Sequence, residues 1–461
     1  MQPSLDAIGQ SVKLLGGSVP GRGKAGVILG IVGALCAVGV GTLRGFPRSK
    51  DPNERAKRLE LASTYQRMST VYYFVFPPGM MLANLRTWLV ARPWGPSEQL
   101  AQAYAMLAFI FGGVLGKHAL AGRLAAAALQ TVEQLEPTWQ EGFVRARIGA
   151  LAVFRGEYSE AIIQLAKAKR SLQQYGDYAE LGFAWVNLSQ AYYFQGRFKE
   201  GYALALEGYE LFERIGSDMV ARQFLSMVAL MGALIGIKGE MAKVRDGIAR
   251  SQLCKDYTCQ CIGMVKLGAV HAALGEYDSA LSALGQARTV RTEHGVKFHY
   301  ADMLDILELD IRLRMPASSP AMLAKALAQN RRIARTRPAY AAWVALNEAN
   351  HALLRGRRSQ ALAHYDRARA IATQQGARHL LANVYVDMAR ADPAHACAHL
   401  QQALTLHREC GAVHDERLVE GALRGLSAGN EQIAVEVLPT ARCPVDARTA
   451  LEERLKAMRC E

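Results

Sequence analysis

No stretch of this sequence completes a catalytic or metal-binding signature, and each gap removes a class of function. The nearest approach to a phosphate-binding loop is Gly17-Ser18-Val19-Pro20-Gly21-Arg22-Gly23-Lys24-Ala25. It places five residues between Gly17 and Gly23 where that loop needs four. Ala25 stands where a hydroxyl would hold Mg²⁺, and no strand precedes the loop. Cysteine is sparse, with eight in 461 residues. Cys254, Cys259 and Cys261 lie close together but lack the second Cys or His pair of a tetrahedral zinc site, so they are expected to pack between helices. His395 and His399 share a helix face and are expected to be a surface pair. No Ser/His/Asp or Cys/His set follows from spacing, although such sets converge in space rather than in sequence. No catalytic residue, cofactor or metal is therefore expected. A signal peptide with a small-residue cleavage site is also not evident. Scattered thiols in a long chain fit a reduced, cytoplasmic protein.

What is present is an apolar, foldable chain: 51% hydrophobic and 21% charged. At 461 residues it is too long for one ordinary core. A repeat array escapes that limit, because each unit packs only on its neighbours.

A local pattern of glycine, polar residues, a bulky residue and a small residue recurs. It reads Gly156-Glu157-Tyr158-Ser159-Glu160-Ala161, Gly196-Arg197-Phe198-Lys199-Glu200-Gly201, Gly275-Glu276-Tyr277-Asp278-Ser279-Ala280 and Gly356-Arg357-Arg358-Ser359-Gln360-Ala361. Weaker copies begin at Gly116 and Gly239. The intervals from Gly116 are 40, 40, 43 and 36 residues, then 81, or two units. The missing junction falls at Met315-Pro316-Ala317-Ser318-Ser319-Pro320. Breaks at Phe76-Pro77-Pro78-Gly79 and near Asp392-Pro393 continue the register. Each glycine suits a tight turn between antiparallel helices. Gly149, Ser189, Gly268 and Ala349 stand twelve residues before the small residue of each unit, and Ala168, Gly208, Ala287 and Ala368 seven after it. That spacing, with Trp185, Leu188 and Tyr192 at large apolar positions, is the tetratricopeptide pattern lengthened from 34 to about 40 residues. A second set of glycines (Gly176, Gly216, Gly295, Gly376, Gly411) falls between pairs. The expectation is an all-α, tetratricopeptide-like α-solenoid of about nine helical pairs over residues 60–420. An N-terminal segment 1–59 precedes it, and a C-terminal cap or tail 421–461, with a helical stretch at Ala447–Met458, follows.

Three further stretches resemble the start of the tetratricopeptide-like C-terminal region of large bacterial multidomain signalling proteins, which couple a protein kinase or nucleotide cyclase to an ATPase. They are Leu14-Leu15-Gly16-Gly17-Ser18-Val19-Pro20, Tyr65-Gln66-Arg67-Met68-Ser69 with Val71-Tyr72-Tyr73-Phe74, and Gly95-Pro96-Ser97-Glu98-Gln99-Leu100-Ala101-Gln102-Ala103-Tyr104. The enzymatic parts of those proteins have no counterpart here. The resemblance therefore implies an interaction or sensory module and carries over no enzymatic role.

Ala25 to Leu43 contains no charge, and nineteen residues reach about 28 Å as a helix. Arg22 and Lys24 precede it; Arg44, Arg48 and Lys50 follow. Two readings stand: a helix packed on the first repeats, or a membrane contact that leaves the repeats on the cytoplasmic side of the inner membrane. The net charge of +14 is concentrated late. Residues 311–370 hold twelve Arg and Lys against Glu348 and Asp366, or 12 − 2 = +10. The candidate partner-binding residues are Arg312, Arg314, Arg331, Arg332, Arg335, Arg337, Arg355, Arg357 and Arg358, suited to an acidic protein partner. Nucleic acid is not expected, because no nucleic-acid motif accompanies them. Asp302, Asp305 and Glu308 are expected on a solvated face. The function expected is a non-catalytic scaffold or regulatory adaptor that binds its partner in the solenoid groove. The alternatives are an enzyme or obligatory enzyme subunit with a small-molecule pocket between repeat helices, and a membrane-anchored assembly factor.

Overall fold

The computed structural model describes residues 2–19, 24–44, 51–75, 77–296, 301–315 and 319–427. The helix expected at Ala447–Met458 lies outside them. Two helices come first, α1 (Gln2–Leu14) and α2 (Lys24–Arg44). Among the described residues nine pairs follow, in keeping with the periodicity. They begin with α3 (Pro52–Val75) and α4 (Pro77–Ala91), α5 (Glu98–Phe109) and α6 (His118–Val132), and α7 (Trp139–Arg155) and α8 (Tyr158–Tyr175). The middle three are α9 (Tyr178–Gln195) with α10 (Phe198–Arg214), α11 (Asp218–Leu234) with α12 (Met241–Leu253), and α13 (Tyr257–Ala273) with α14 (Tyr277–Glu293). The last three are α15 (Ala301–Leu313) with α16 (Pro320–Thr336), α17 (Ala341–Leu354) with α18 (Arg358–Gln375), and α19 (Arg378–Ala391) with α20 (Ala396–Cys410). A last helix, α21 (Val413–Ser427), packs on α20. No strand occurs among the described residues. The fold is an all-α solenoid.

The small residues of the pattern sit where neighbouring helices come closest, within pairs and between them. A Cβ on Gly149 would lie 2.5 Å from the Leu165 side chain, and one on Gly208 would lie 2.6 Å from the Phe224 ring. Ala161, Ala168, Ala280, Ala287, Ala361 and Ala368 are fully buried. Trp185 and Leu188 are core as well. The packing is apolar and close, and it fixes the pairing.

The turns correct one assignment. The sequence pattern points to Gly239 for the weak copy of the motif, with intervals of 43 and 36. The residue equivalent to Gly156 and Gly196 is Gly236. It has φ +82°, and the Ile237 N–H donates to the Gly232 carbonyl as the Arg197 N–H does to Tyr192. The intervals become 236 − 196 = 40 and 275 − 236 = 39. Three extra residues then precede α12, and they displaced the sequence pattern without moving the turn. The between-pair glycines Gly176, Gly216, Gly295, Gly376 and Gly411 all have positive φ. At the corresponding turn between α12 and α13 the chain has Lys255, at φ 54°.

The chain forms two compact units: residues 1–155 with 160–188, and residues 156–159 with 189–461. In the first, α1 packs on α3 through Val12, Leu61, Tyr65 and Met68. The Tyr65 hydroxyl exchanges hydrogen bonds with the Ser18 backbone, donating to its carbonyl at 3.0 Å and accepting from its N–H at 3.1 Å. Helix α2 lays Val27 and Ala34 against Leu82, Leu85 and Trp88. Its other side exposes Ile28, Leu29, Val32, Leu35 and Val40. Among the described residues, no helix is long and apolar enough to cross a membrane.

In the second unit, early turns meet late helices. The Tyr158 hydroxyl donates to the Ala339 carbonyl at 3.1 Å, and Arg378 Nε donates to the Gln195 carbonyl at 3.4 Å. Tyr158 also packs with Ala339, Ala342, Ala372 and Ala377. These contacts, separated by some 180 residues in sequence, close the array into a turn of superhelix within this unit.

An L-residue held in the left-handed conformation costs roughly 1–2 kcal/mol. Lys255→Gly should therefore raise the free energy of unfolding by about 1 kcal/mol, and Gly216→Ala at the homologous turn should lower it by a similar amount. Urea titrations followed by circular dichroism measure both.

Candidate functional site

Within the second unit the first helix of each pair buries polar side chains, while the second helix supplies mostly alanine and aromatic packing. Gln190 on α9, Lys266 on α13, Asn347 and Asn350 on α17 and Asp387 on α19 are all 4% exposed or less. Two contacts of these residues skip a pair. Lys266 Nζ on α13 donates to Gln190 Oε1 on α9 at 2.8 Å and lies 5.1 Å from the centre of the Tyr193 ring. Arg314 on α15 reaches Asp387 on α19 at 3.7 Å. Side chains span two pairs only where helices converge, so these first helices line the inner face of the superhelical turn.

The larger cluster of this face centres on Asp387. Arg314 pairs with Asp310 at 3.0 Å, Asn350 Nδ2 donates to Asp387 Oδ2 at 2.9 Å, and the Tyr365 hydroxyl donates to Asn350 Oδ1 at 2.5 Å. Arg390 stands 4.0 Å from Asp387 Oδ1. A cavity of about 140 Å³ opens here, lined by Leu313, Arg314, Asn350, Leu353, Leu354 and Arg390. Burial pushes the Asp310 carboxyl up, and Arg314 opposes it. Burial alone would lower Arg314; Asp310 and Asp387 outweigh it and hold the guanidinium charged. The network is not saturated. Gln190 Nε2, Asn347 Oδ1, Asp387 Oδ1 and Arg390 Nε are buried without a hydrogen-bond partner. Unmatched buried groups of this kind each carry a penalty of roughly 1–3 kcal/mol. Donors and acceptors interspersed along one face suit the amides of a polypeptide.

The basic block is divided by the fold. Arg312 pairs with Glu308 at 2.8 Å, Arg331 with Glu348 at 2.6 Å, Arg337 with Asp302 at 3.5 Å, and Arg358 with Asp392 at 3.6 Å. Arg314 is held in the Asp387 cluster. Arg332, Arg335, Arg355 and Arg357 are exposed and form no ion pair among the described residues. Asp302, Asp305 and Glu308 do not form the solvated stripe expected of them. Asp305 binds Arg288 at 2.9 Å and Arg291 at 3.0 Å, and both Asp305 and Glu308 are largely shielded from solvent. They wall a cavity of about 540 Å³ between α14, α15 and α16, whose other wall carries Lys325 and Arg332. The +10 window began at residue 311 and so left out these acids, which fold back onto it.

Cys259 and Cys261 are buried, as expected, whereas Cys254 is exposed. His395 lies on the surface and contacts Asp392 at 2.8 Å; His399 is 3.8 Å from the same carboxylate. One grouping had no signal in the sequence. His379, His407 and Asp415 bring their ligand atoms within 4.8 Å of one another. Burial pulls His407 down to about 4. Burial raises Asp415, but its hydrogen bond with His379 and the nearby histidines more than offset that and bring it to about 2. Their positions are separated by 28 and 8 residues, so no motif search joins them.

No protein-family model and no curated protein matches this chain. A solved structure to which it is similar is that of a Rap protein complexed with competence and sporulation factor. The match has a TM-score of 0.54 at 12% identity and covers 81% of this chain and 99% of that one. It establishes a shared all-helical, tetratricopeptide-like fold.

Burial lowers the Lys266 ammonium to about 7. The unfolded chain then binds more protons than the folded one between pH 7 and about 10.4, the ordinary lysine value. Stability gains from this group as pH rises through that window, and the full penalty is present below it. Lys266→Met should raise the unfolding midpoint relative to wild type at pH 6.5, and the gain should shrink steadily towards pH 10. Thermal melts across that range measure the difference.

Proposed function

We propose that this protein is a non-catalytic interaction protein, a scaffold or regulatory adaptor that holds a polypeptide segment against the inner face of its second unit. The observation that carries this reading is the cavity lined by Arg314, Asn350 and Arg390, with buried, unmatched polar atoms on Gln190, Asn347, Asp387 and Arg390, all on first helices. A segment laid in the cavity meets the polar groups of Arg314, Asn350 and Arg390, and the apolar Leu313 and Leu353 receive its side chains. The Rap protein of similar fold, solved in complex with competence and sporulation factor, supports a regulator by analogy.

The acidic character of the partner rests on fewer cations than the sequence suggested. Lys325, Arg332 and Arg335 stand exposed on α16, spaced to share one side of the helix. An acidic flank of the partner meets them there. The two contacts separate kinetically. Exposed charge governs encounter, and buried hydrogen bonds govern dissociation.

The test is affinity capture from the source cells, then surface plasmon resonance with the captured partner. Asn347→Ala combined with Arg390→Ala should speed dissociation about tenfold or more, equivalent to about 1.4 kcal/mol. Arg332→Glu with Arg335→Glu should slow association and flatten its salt dependence, with dissociation little changed. Binding that ignores both pairs of substitutions contradicts the proposal.

A second reading rests on α2. Its exposed Ile28, Leu29, Val32, Leu35 and Val40, between basic residues in the sequence, favour contact with an anionic membrane surface. Vesicles containing phosphatidylglycerol should carry the protein upward in a flotation gradient. Ile28→Gln with Leu29→Gln and Val32→Gln should abolish flotation while leaving partner capture intact.

A further inference from the structure

We propose that His379, His407 and Asp415 form a binding site for a divalent transition metal ion, zinc being the best fit to the donors, at the junction of α19, α20 and α21. The site is independent of the partner-binding reading. His379 opens α19, His407 lies in the last turn of α20, and Asp415 lies in the first turn of α21. Gly411, left-handed at φ +70°, ends α20 and reverses the chain, so that α21 brings Asp415 back over His407.

The geometry is close to a coordination sphere. His379 Nε2 is 2.8 Å from Asp415 Oδ2, and His407 Nδ1 is 4.0 Å from the same oxygen. Zinc holds nitrogen at about 2.0–2.1 Å and carboxylate oxygen at about 2.0–2.2 Å, which sets ligand atoms roughly 3.3 Å apart in a tetrahedron. All three ligand atoms lie within 4.8 Å of one another, so an inward movement of the His407 ring with a slight opening of the His379–Asp415 contact brings them toward that spacing.

The second observation is His407 itself. Its side chain is 1% exposed, and neither ring nitrogen has a hydrogen-bond partner. A buried imidazole usually has both nitrogens satisfied. Here its nearest polar neighbours are His379 and Asp415, so the unmatched ring faces the other two donors. A metal ion bound through Nδ1 supplies one of the two partners it lacks. Two imidazoles and one carboxylate select a borderline transition metal over Mg²⁺ or Ca²⁺, which prefer all-oxygen shells. Three protein donors leave one position for an exchangeable ligand.

The location gives the ion a structural consequence. The His379 ring also packs edge-on against Phe198, 5.0 Å between centres, and a Cβ on Gly196 would lie 3.1 Å from the His379 backbone nitrogen. The metal therefore ties three late helices together directly beneath an early turn of the same unit.

The experiment uses untagged, full-length protein stripped with chelator and dialysed. Titration with Co²⁺ should develop the intense visible bands of a tetrahedral nitrogen–oxygen site, and Zn²⁺ calorimetry should show about one ion per chain, displacing the cobalt. Asp415→Asn and His379→Asn should each weaken zinc binding at least about a hundredfold, more than the roughly 10–100-fold typical of removing a group one shell out. His395→Ala with His399→Ala should leave the affinity unchanged. His407→Ala is read only if circular dichroism shows a folded protein; the near-isosteric Asp415→Asn decides otherwise. No tetrahedral cobalt spectrum and no zinc uptake by wild type would overturn the proposal. So would uptake that survives Asp415→Asn and His379→Asn, which places the ion elsewhere.

Discussion

The structure depends on a close approach repeated about every forty residues. Two neighbouring helices can pack closely only where one presents glycine or alanine to the bulk of the other, as Gly149 does to Leu165 within a pair and Gly208 to Phe224 between pairs. That contact sets the angle between neighbouring helices, and left-handed turns after most of the helices pass the angle along the array. Summed over successive pairs, a small constant rotation brings distant parts of the second unit together. Tyr158 then donates to a carbonyl 181 positions away. The inner face follows from that closure, because it does not exist in an extended array.

Closure also explains where the polar residues lie. In an open solenoid, the inner surfaces of the first helices would be wet, and Gln190, Lys266 and Asp387 would be ordinary surface groups. Curling removes the water and leaves them nearly fully buried, with partners on helices two pairs away. Some are satisfied and some are not. The unmatched atoms carry a standing penalty that packing elsewhere offsets, and the proposed function rests on that face.

The fold was legible in the sequence because its determinants are local. Turn glycines, small residues at helix contacts and bulky residues between them each act within about twenty positions, so a periodic search finds them. The one register error, Gly239 for Gly236, came from three inserted residues that carry a glycine of their own. Lys255 hid a turn because the pattern expected glycine there. The site was far less legible. Sequence showed nine arginines in a row of repeats, but space returned Asp302, Glu308, Glu348, Asp387 and Asp392 to five of them. Charge in a window is not charge on a surface. His379, His407 and Asp415 were invisible for the same reason: their proximity comes from two helix reversals.

The central claim is that the partner lies on the inner face of the second unit. A photoreactive amino acid introduced one position at a time, with crosslinks identified by mass spectrometry after partner capture, tests it most directly. The account predicts partner crosslinks from position 353, beside the Asp387 cluster, and none from the exposed position 360 at the start of α18. Crosslinks from 360 with none from 353 would contradict it.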